Sequence, residues 1–181
     1  MFNFQFSIFN FQFSILFAII LLVTSCSSID CQLNGSVYCR YQLKDQHLND
    51  VAFTYPLTVT LCDTDSGDIV IINGESNVSA IDIPMSHGNT IDVLKFTLMV
   101  TDTISEEDTT YYVTTPYTDI IRITKTNEPY FESIDCAPRY NHTIEEVQSS
   151  HNFIDSLVIN NKKVTNDASK ENIYIFLNSG N

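Results

Sequence analysis

Leu57-Thr58-Val59-Thr60-Leu61-Cys62-Asp63-Thr64-Asp65-Ser66-Gly67-Asp68-Ile69-Val70-Ile71-Ile72 is the stretch on which the fold turns. Leu57, Val59 and Leu61 alternate with Thr58, Thr60 and Cys62, the period of a half-buried strand. The Asp/Ser/Gly cluster that follows is a turn, because Gly supplies unusual backbone angles and Asp and Ser side chains bond the backbone locally. The β-branched run Ile69–Ile72 reads as a second strand, apolar on both faces and therefore expected to be buried. The hexad Asp63–Asp68 also offers oxygen ligands at Asp63, Asp65 and Asp68, a candidate calcium site. Its glycine stands one place too early for an EF-hand loop and no bidentate Glu follows, so the turn is the preferred reading.

The same pattern continues in both directions. Val37–Leu43 forms a strand before this hairpin, and Ile81-Asp82-Ile83 a short one ending at Pro84. Leu94, Phe96, Leu98 and Val100 line one face of a longer strand. Tyr111–Thr115 and Thr118–Lys125 are two more, with Pro116 between them marking an edge or corner, since proline cannot donate to a ladder. After an expected loop over 127–142 come Phe153–Asn160 and Ile173–Leu177. A short helical turn is expected near 143–150, where Ile144 and Val147 stand at helical spacing. Many short strands with regular turn signals point to an all-β protein, a β-sandwich of immunoglobulin-like or related Greek-key topology, forming a single domain over 36–181.

The first 25 residues read differently. They contain no charged residue, and Leu16–Val23 is an apolar run too short to span a bilayer but suited to a signal peptide. Val23-Thr24-Ser25-Cys26 resembles the bacterial lipobox, which implies a signal peptide over 1–25 and acylation of Cys26, palmitate included, at the head of a tether over 26–35. Phe2–Ile8 is repeated identically as Phe9–Ile15, a tandem copy in place of the usual basic n-region. The expected address is the cell envelope: lipid-anchored at the outer membrane, with the periplasmic face favoured over the surface.

The formal charge of −13 falls wholly on the part after the leader. Such a surface repels phosphate backbones, which argues against nucleic acid as a partner. Setting Cys26 aside leaves Cys31, Cys39, Cys62 and Cys136, an even set in an oxidising compartment, hence two disulfides. Four cysteines allow three pairings. The shared tetrapeptide Ser-Ile-Asp-Cys at 28–31 and 133–136 favours Cys31 with Cys136, leaving Cys39 with Cys62. Against the second pair, Cys39 alternates with core residues whereas Cys62 alternates with threonines, so the two face differently unless a bulge intervenes. No cysteine or histidine spacing supports a metal site, and no cofactor is expected.

No catalytic signature is legible. His47, His87, His142 and His151 are scattered; Glu132 and Asp135 beside Cys136 offer a carboxylate pair for acid/base chemistry, and an enzyme would need them in one cleft with His142. The chain therefore reads as a non-enzymatic binding or accessory module with a protein or glycan partner; a glycan- or solute-binding lipoprotein is the alternative, for which Tyr111, Tyr112, Tyr117, Tyr130 and Tyr140 would have to converge on one face.

Asn127-Glu128-Pro129-Tyr130-Phe131-Glu132-Ser133-Ile134-Asp135-Cys136-Ala137-Pro138, the strand Ile154–Asn160, the closing Glu171–Phe176 and the opening Asp30-Cys31-Gln32-Leu33-Asn34 together resemble a family of uncharacterised Bacteroidales envelope lipoproteins. The resemblance implies an envelope lipoprotein and supports Cys31 with Cys136; it implies no activity. Asp102-Thr103-Ile104 is similar to the O-glycosylation acceptor of exported proteins in that group, which makes Thr103 a candidate site in an expected loop.

Overall fold

The structure is a computed structural model, which describes residues 37–63, 67–106, 109–131, 136–167 and 169–178. The expected signal peptide and tether, with Cys26 and Cys31, lie outside the described residues, as do Asp65, Glu132 and Asp135. The protein is an all-β sandwich of two sheets. One has four strands in the order β4-β1-β10-β8: Ala80–Pro84, Tyr38–Leu43, Ile173–Leu177 and Ile154–Ile159. The other has six in the order β3-β2-β5-β6-β7-β9: Gly67–Glu75, Leu57–Asp63, Ile91–Glu106, Thr109–Tyr130, Arg139–Ser149 and Lys163–Val164. All neighbours are antiparallel except β1 and β10, which pair in parallel with Tyr41 opposite Ile173.

The core lies where the two inner faces meet. Cys39, Tyr41, Leu43, Ile81, Ile83, Ile173 and Ile175 come from the smaller sheet. Leu57, Val59, Leu94, Phe96, Leu98, Ile121, Ile123 and Ile144 answer from the larger. The Tyr41 and Phe96 rings lie 6.3 Å apart between centroids, across the interface of the sheets. Phe53 and Phe153 pack edge to face at 6.1 Å. Fully burying an aliphatic or phenyl side chain contributes about 1.5–3 kcal/mol, so these facing stripes drive the folding.

Three expectations need correction. Residues 143–149 are strand, not helix. Lys125 pairs with Ile144 while Thr124 pairs with Glu146, so Glu145 is an extra, bulged residue. A bulge reverses the alternation, placing Ile144 and Val147 on one face at a separation that imitates a helical period. The run Ile69–Ile72 is not buried: β3 is an edge strand, with Ile69 45% and Val70 55% exposed. Finally, the loop expected over 127–142 shrinks to the segment between Tyr130 and Arg139, because β6 and β7 continue in register to those residues.

Pro116 does not interrupt β6. Met99, its partner, sends its N–H to the carbonyl of Pro56 on the β2 side. Met99 and Pro116 are thus a non-hydrogen-bonded pair, and the donor that proline lacks would point away from β5. β7 does not reach that far, as its pairing with β6 starts at Ile121. The site is an edge, where proline is tolerated.

Candidate functional site: an apolar face that outruns the core

The inward stripe of the β5–β6 hairpin runs the full length of both strands, but the structure covers only its middle. Opposed pairs along it are Leu94/Ile121, Phe96/Asp119, Leu98/Tyr117, Val100/Thr115, Asp102/Val113 and Ile104/Tyr111. Leu94, Phe96 and Leu98 are buried, and Val100 is 8% exposed. The cover thins at Tyr117, opposite Leu98 and 40% exposed, and beyond Val100 Val113 is 39% and Tyr111 41% exposed, with Ile104 half-buried. β2 pairs with β5 only as far as Leu98, and β7 with β6 only from Ile121. Among the described strands, residues 99–106 and 109–117 thus pair only with each other, a two-stranded ribbon about 25 Å long at ~3.3 Å per residue. Thr101 and Thr114 share a hydroxyl hydrogen bond of 2.9 Å on its other face, where Tyr112 is 72% exposed. An isolated two-stranded ribbon is marginal in water. This one keeps an apolar stripe of the kind that elsewhere in the same hairpin is covered by a second sheet.

The opposite end of the stripe is closed by polar groups. Ile121 and Ile123 are followed at core parity by Lys125, and Leu94 is preceded by Asp92; Lys125 is 1% and Asp92 5% exposed. Lys125 Nζ donates to the carbonyls of Ser86 and Asn89 and to Asn127 Oδ1 at 3.3 Å, and pairs with Asp92 Oδ1 at 3.3 Å. Asn127 Nδ2 donates to the carbonyls of His87 (3.0 Å) and Asn89 (2.9 Å), which fixes Asn127 Oδ1 as an acceptor. His142 Nδ1, 2.8 Å from that oxygen, therefore carries the proton. Burial first, then the charges of Lys125 and His87, push His142 down to about 4. Desolvation lowers Lys125 despite the counteracting Asp92. The ring of His87 stacks on Tyr140 at 5.1 Å. With its ammonium enclosed by four oxygens, Lys125 is a staple for the loop between β4 and β5, not a reactive amine.

Asp119 is a second buried charge, wholly inaccessible. Its Oδ1 accepts from Ser150 Oγ (2.6 Å), Ser149 Oγ (3.5 Å) and the N–H of Asn152 (2.8 Å). Oδ2 accepts the N–H groups of Phe153 (2.8 Å) and Ile154 (2.9 Å). Desolvation raises this carboxyl, but the donors from Asn152, Ser150, Ile154 and Phe153 outweigh it and hold the group below its ordinary range. The carboxylate thereby fixes the crossing from β7 in one sheet to β8 in the other. Sequence reasoning missed both sites. The available signal was a charged residue at core parity in an apolar alternation: Asp92, Asp119 and Lys125.

Other expected sites disperse. Cys39 and Cys62 are free thiols, so the expected disulfide between them is not formed. Cys39 is buried in the core, where desolvation pushes it up to about 12. β2 keeps unbroken register with β5 from Leu57 to Leu61, so no bulge turns Cys62 inward. Cys136 is disulfide-bonded, and its partner lies outside the described residues. Asp68 is exposed opposite Cys62 in β3, and no group of metal-ligating side chains forms among the described residues. Thr103 is exposed but stands in β5 opposite Tyr112, not in a loop. The five tyrosines do not converge: Tyr111 and Tyr117 share one ribbon face, Tyr112 takes the other, and Tyr130 and Tyr140 lie at the far end of β6 and β7. His142 is buried in the polar plug, away from any open surface.

Fold and site together define a two-sheet β module carrying a projecting ribbon with an uncovered tyrosine-bearing face. Residues 56–177, about two-thirds of the chain, match a family described as a family of unknown function (DUF6452), and the protein belongs to it. No curated protein and no solved structure matches the chain.

Proposed function

We propose that this protein is a non-enzymatic binding module of the cell envelope, held at the outer membrane by lipid on Cys26 and engaging a protein partner through the β5–β6 ribbon. The observation that carries the binding role is the inward stripe that leaves the core and continues through exposed Tyr117, Val113 and Tyr111, with half-buried Ile104 and exposed Asp102 among them. Large exposed apolar groups in a contiguous stripe mark interaction surfaces, and tyrosine is among the residues that contribute most at interfaces. Each such side chain would contribute about 1.5–3 kcal/mol on full burial. The charge selects the partner. From Phe96 to Thr118 the sequence has Asp102, Glu106, Glu107 and Asp108 and no Lys or Arg. A second copy would meet the ribbon with like charge, whereas a basic surface would complement it. The lipobox-like Val23–Cys26 supports the anchor, and the cysteine count supports Cys31 as the partner of Cys136 once Cys26 is acylated.

Two measurements test this reading. Metabolic labelling with an alkynyl palmitate should mark the wild-type chain and not Cys26→Ala; equal labelling of both would refute the anchor. A photo-crosslinking amino acid at Val113, in cells, should give a discrete adduct that is absent from a control at Lys95 and is lost in Tyr111→Ser/Tyr117→Ser. No adduct above the control would refute the ribbon's role.

A further inference from the structure

A groove of about 640 Å³ opens at the end of the four-stranded sheet where β1 and β10 finish and β8 begins. It is independent of the ribbon, and its volume falls in the ~300–1,000 Å³ range of small-molecule sites. Val51 and Phe176 supply apolar wall, and Lys44, Gln46, Asp155 and Ser156 are polar lining groups.

Its construction centres on Asp155. In the pairing of β10 with β8, Phe176 faces Ser156 but Leu177 faces Ile154, so Asp155 is the unpartnered residue of a bulge. Bulges re-aim a side chain and recur beside functional sites. The backbone carbonyl of Asp155 accepts Nδ1–H of His151 at 2.8 Å, and His151 itself is held at φ 59°, an uncommon conformation for a residue other than glycine. The far wall is fixed as well: Asp45 takes the N–H groups of His47 and Asn49, both at 2.8 Å, and Nδ2 of Asn49 at 2.9 Å.

The charges decide the ligand. Lys44 Nζ is already paired with Asp50 at 2.6 Å and Glu171 at 3.2 Å, and lies 5.0 Å from the Tyr174 ring centroid. Among the described lining residues no other cation is present to hold a phosphate or carboxylate, and Asp155 would repel one. A fatty chain would desolvate Asp155, Ser156 and Gln46 without returning their hydrogen bonds. A cation would find no bare counter-ion, because Asp45 already takes three donors and Asp155 Oδ2 takes the hydroxyl of Ser156 at 3.2 Å, so the lining favours a neutral ligand with a C–H face for the phenyl ring and hydroxyls for the polar rim. We propose that this groove binds a neutral saccharide of one or two rings, resting on Phe176 and hydrogen-bonded by its hydroxyls to Asp155, Ser156 and Gln46.

Saturation-transfer NMR on the purified full-length chain tests it, with maltose, cellobiose, lactose and N,N′-diacetylchitobiose each at millimolar concentration. Transfer to ring C–H protons of at least one sugar is expected. Asp155→Asn should weaken that binding roughly tenfold or more, since a hydrogen bond to a charged group is lost. Phe176→Leu keeps apolar bulk but removes the ring face, and should abolish transfer while the thermal unfolding curve stays in place. The proposal is overturned if none of the four sugars receives saturation, if both variants bind as the wild type does, or if putrescine binds the groove and the sugars do not.

Discussion

Replacing Asp119 by Asn is the sharpest test of how the two sheets are joined. The amide is nearly isosteric, so packing is unchanged and the effect is electrostatic. With its oxygen at the Oδ2 position, the amide still accepts from Phe153 and Ile154. Its NH₂ group then faces the N–H of Asn152, while the Ser150 hydroxyl can rotate to accept. The orphaned N–H costs about 1–3 kcal/mol, and losing the charge on the two retained bonds costs about 1 kcal/mol each. The expected loss is about 3–5 kcal/mol, a large part of the ~5–15 kcal/mol typical of a domain. Removing the buried charge does not recover this, because the carboxyl lies below its ordinary value: the donors already outweigh desolvation. The pH dependence follows. A depressed carboxyl contributes stability that is present above its unfolded value and lost as pH falls through its native one. The gap between wild type and Asp119→Asn, measured by urea denaturation, should be full at pH 7 and shrink in acid. A gap under about 1 kcal/mol at pH 7, or one unchanged on acidification, would refute the reasoning.

Three further outcomes follow from the polar plug and the thiols. His142, neutral when folded down to about 4, takes a proton near 6.5 when unfolded. Stability should thus be indifferent to this group above about pH 6.5 and fall by up to roughly 3 kcal/mol as pH drops toward 4, a slope that His142→Gln should remove in matched denaturation series. Lys125→Met should cost about 3–5 kcal/mol, since it takes the cation from buried Asp92 and the donor from the Ser86 carbonyl; adding Asp92→Asn should recover part of that in a double-mutant cycle. Maleimide labelling with peptide mapping should modify half-buried Cys62 in the native protein and reach Cys39 only in denaturant. Native labelling of Cys39 would contradict its burial.

Sequence determined a good deal of this fold, because strand alternation is a local property. The parity of Leu57, Val59 and Leu61, of Leu94 through Val100, and of Ile173 and Ile175 marked core faces that pairing then respected. It also exposed the conflict between Cys39 and Cys62, since side chains of opposite parity leave opposite faces unless a bulge lies between them. Composition and charge disfavoured nucleic acid on the same local terms. Tertiary structure alone decided which apolar strand would be covered. Ile69–Ile72 reads as a buried strand, yet its place at a sheet edge exposes it, and edge position depends on strand order, which no local period encodes. A single bulge at Glu145 converted strand spacing into helical spacing, and only the partner strand reveals it. The exposed end of the ribbon has the same origin: Tyr111, Val113 and Tyr117 carry the parity of core residues, and the pairing of β2 and β7 stops before it reaches them. Asp155 likewise becomes a groove residue through a bulge against β10. Alternation sets which way a side chain points; only the packing of the two sheets settles whether anything meets it there.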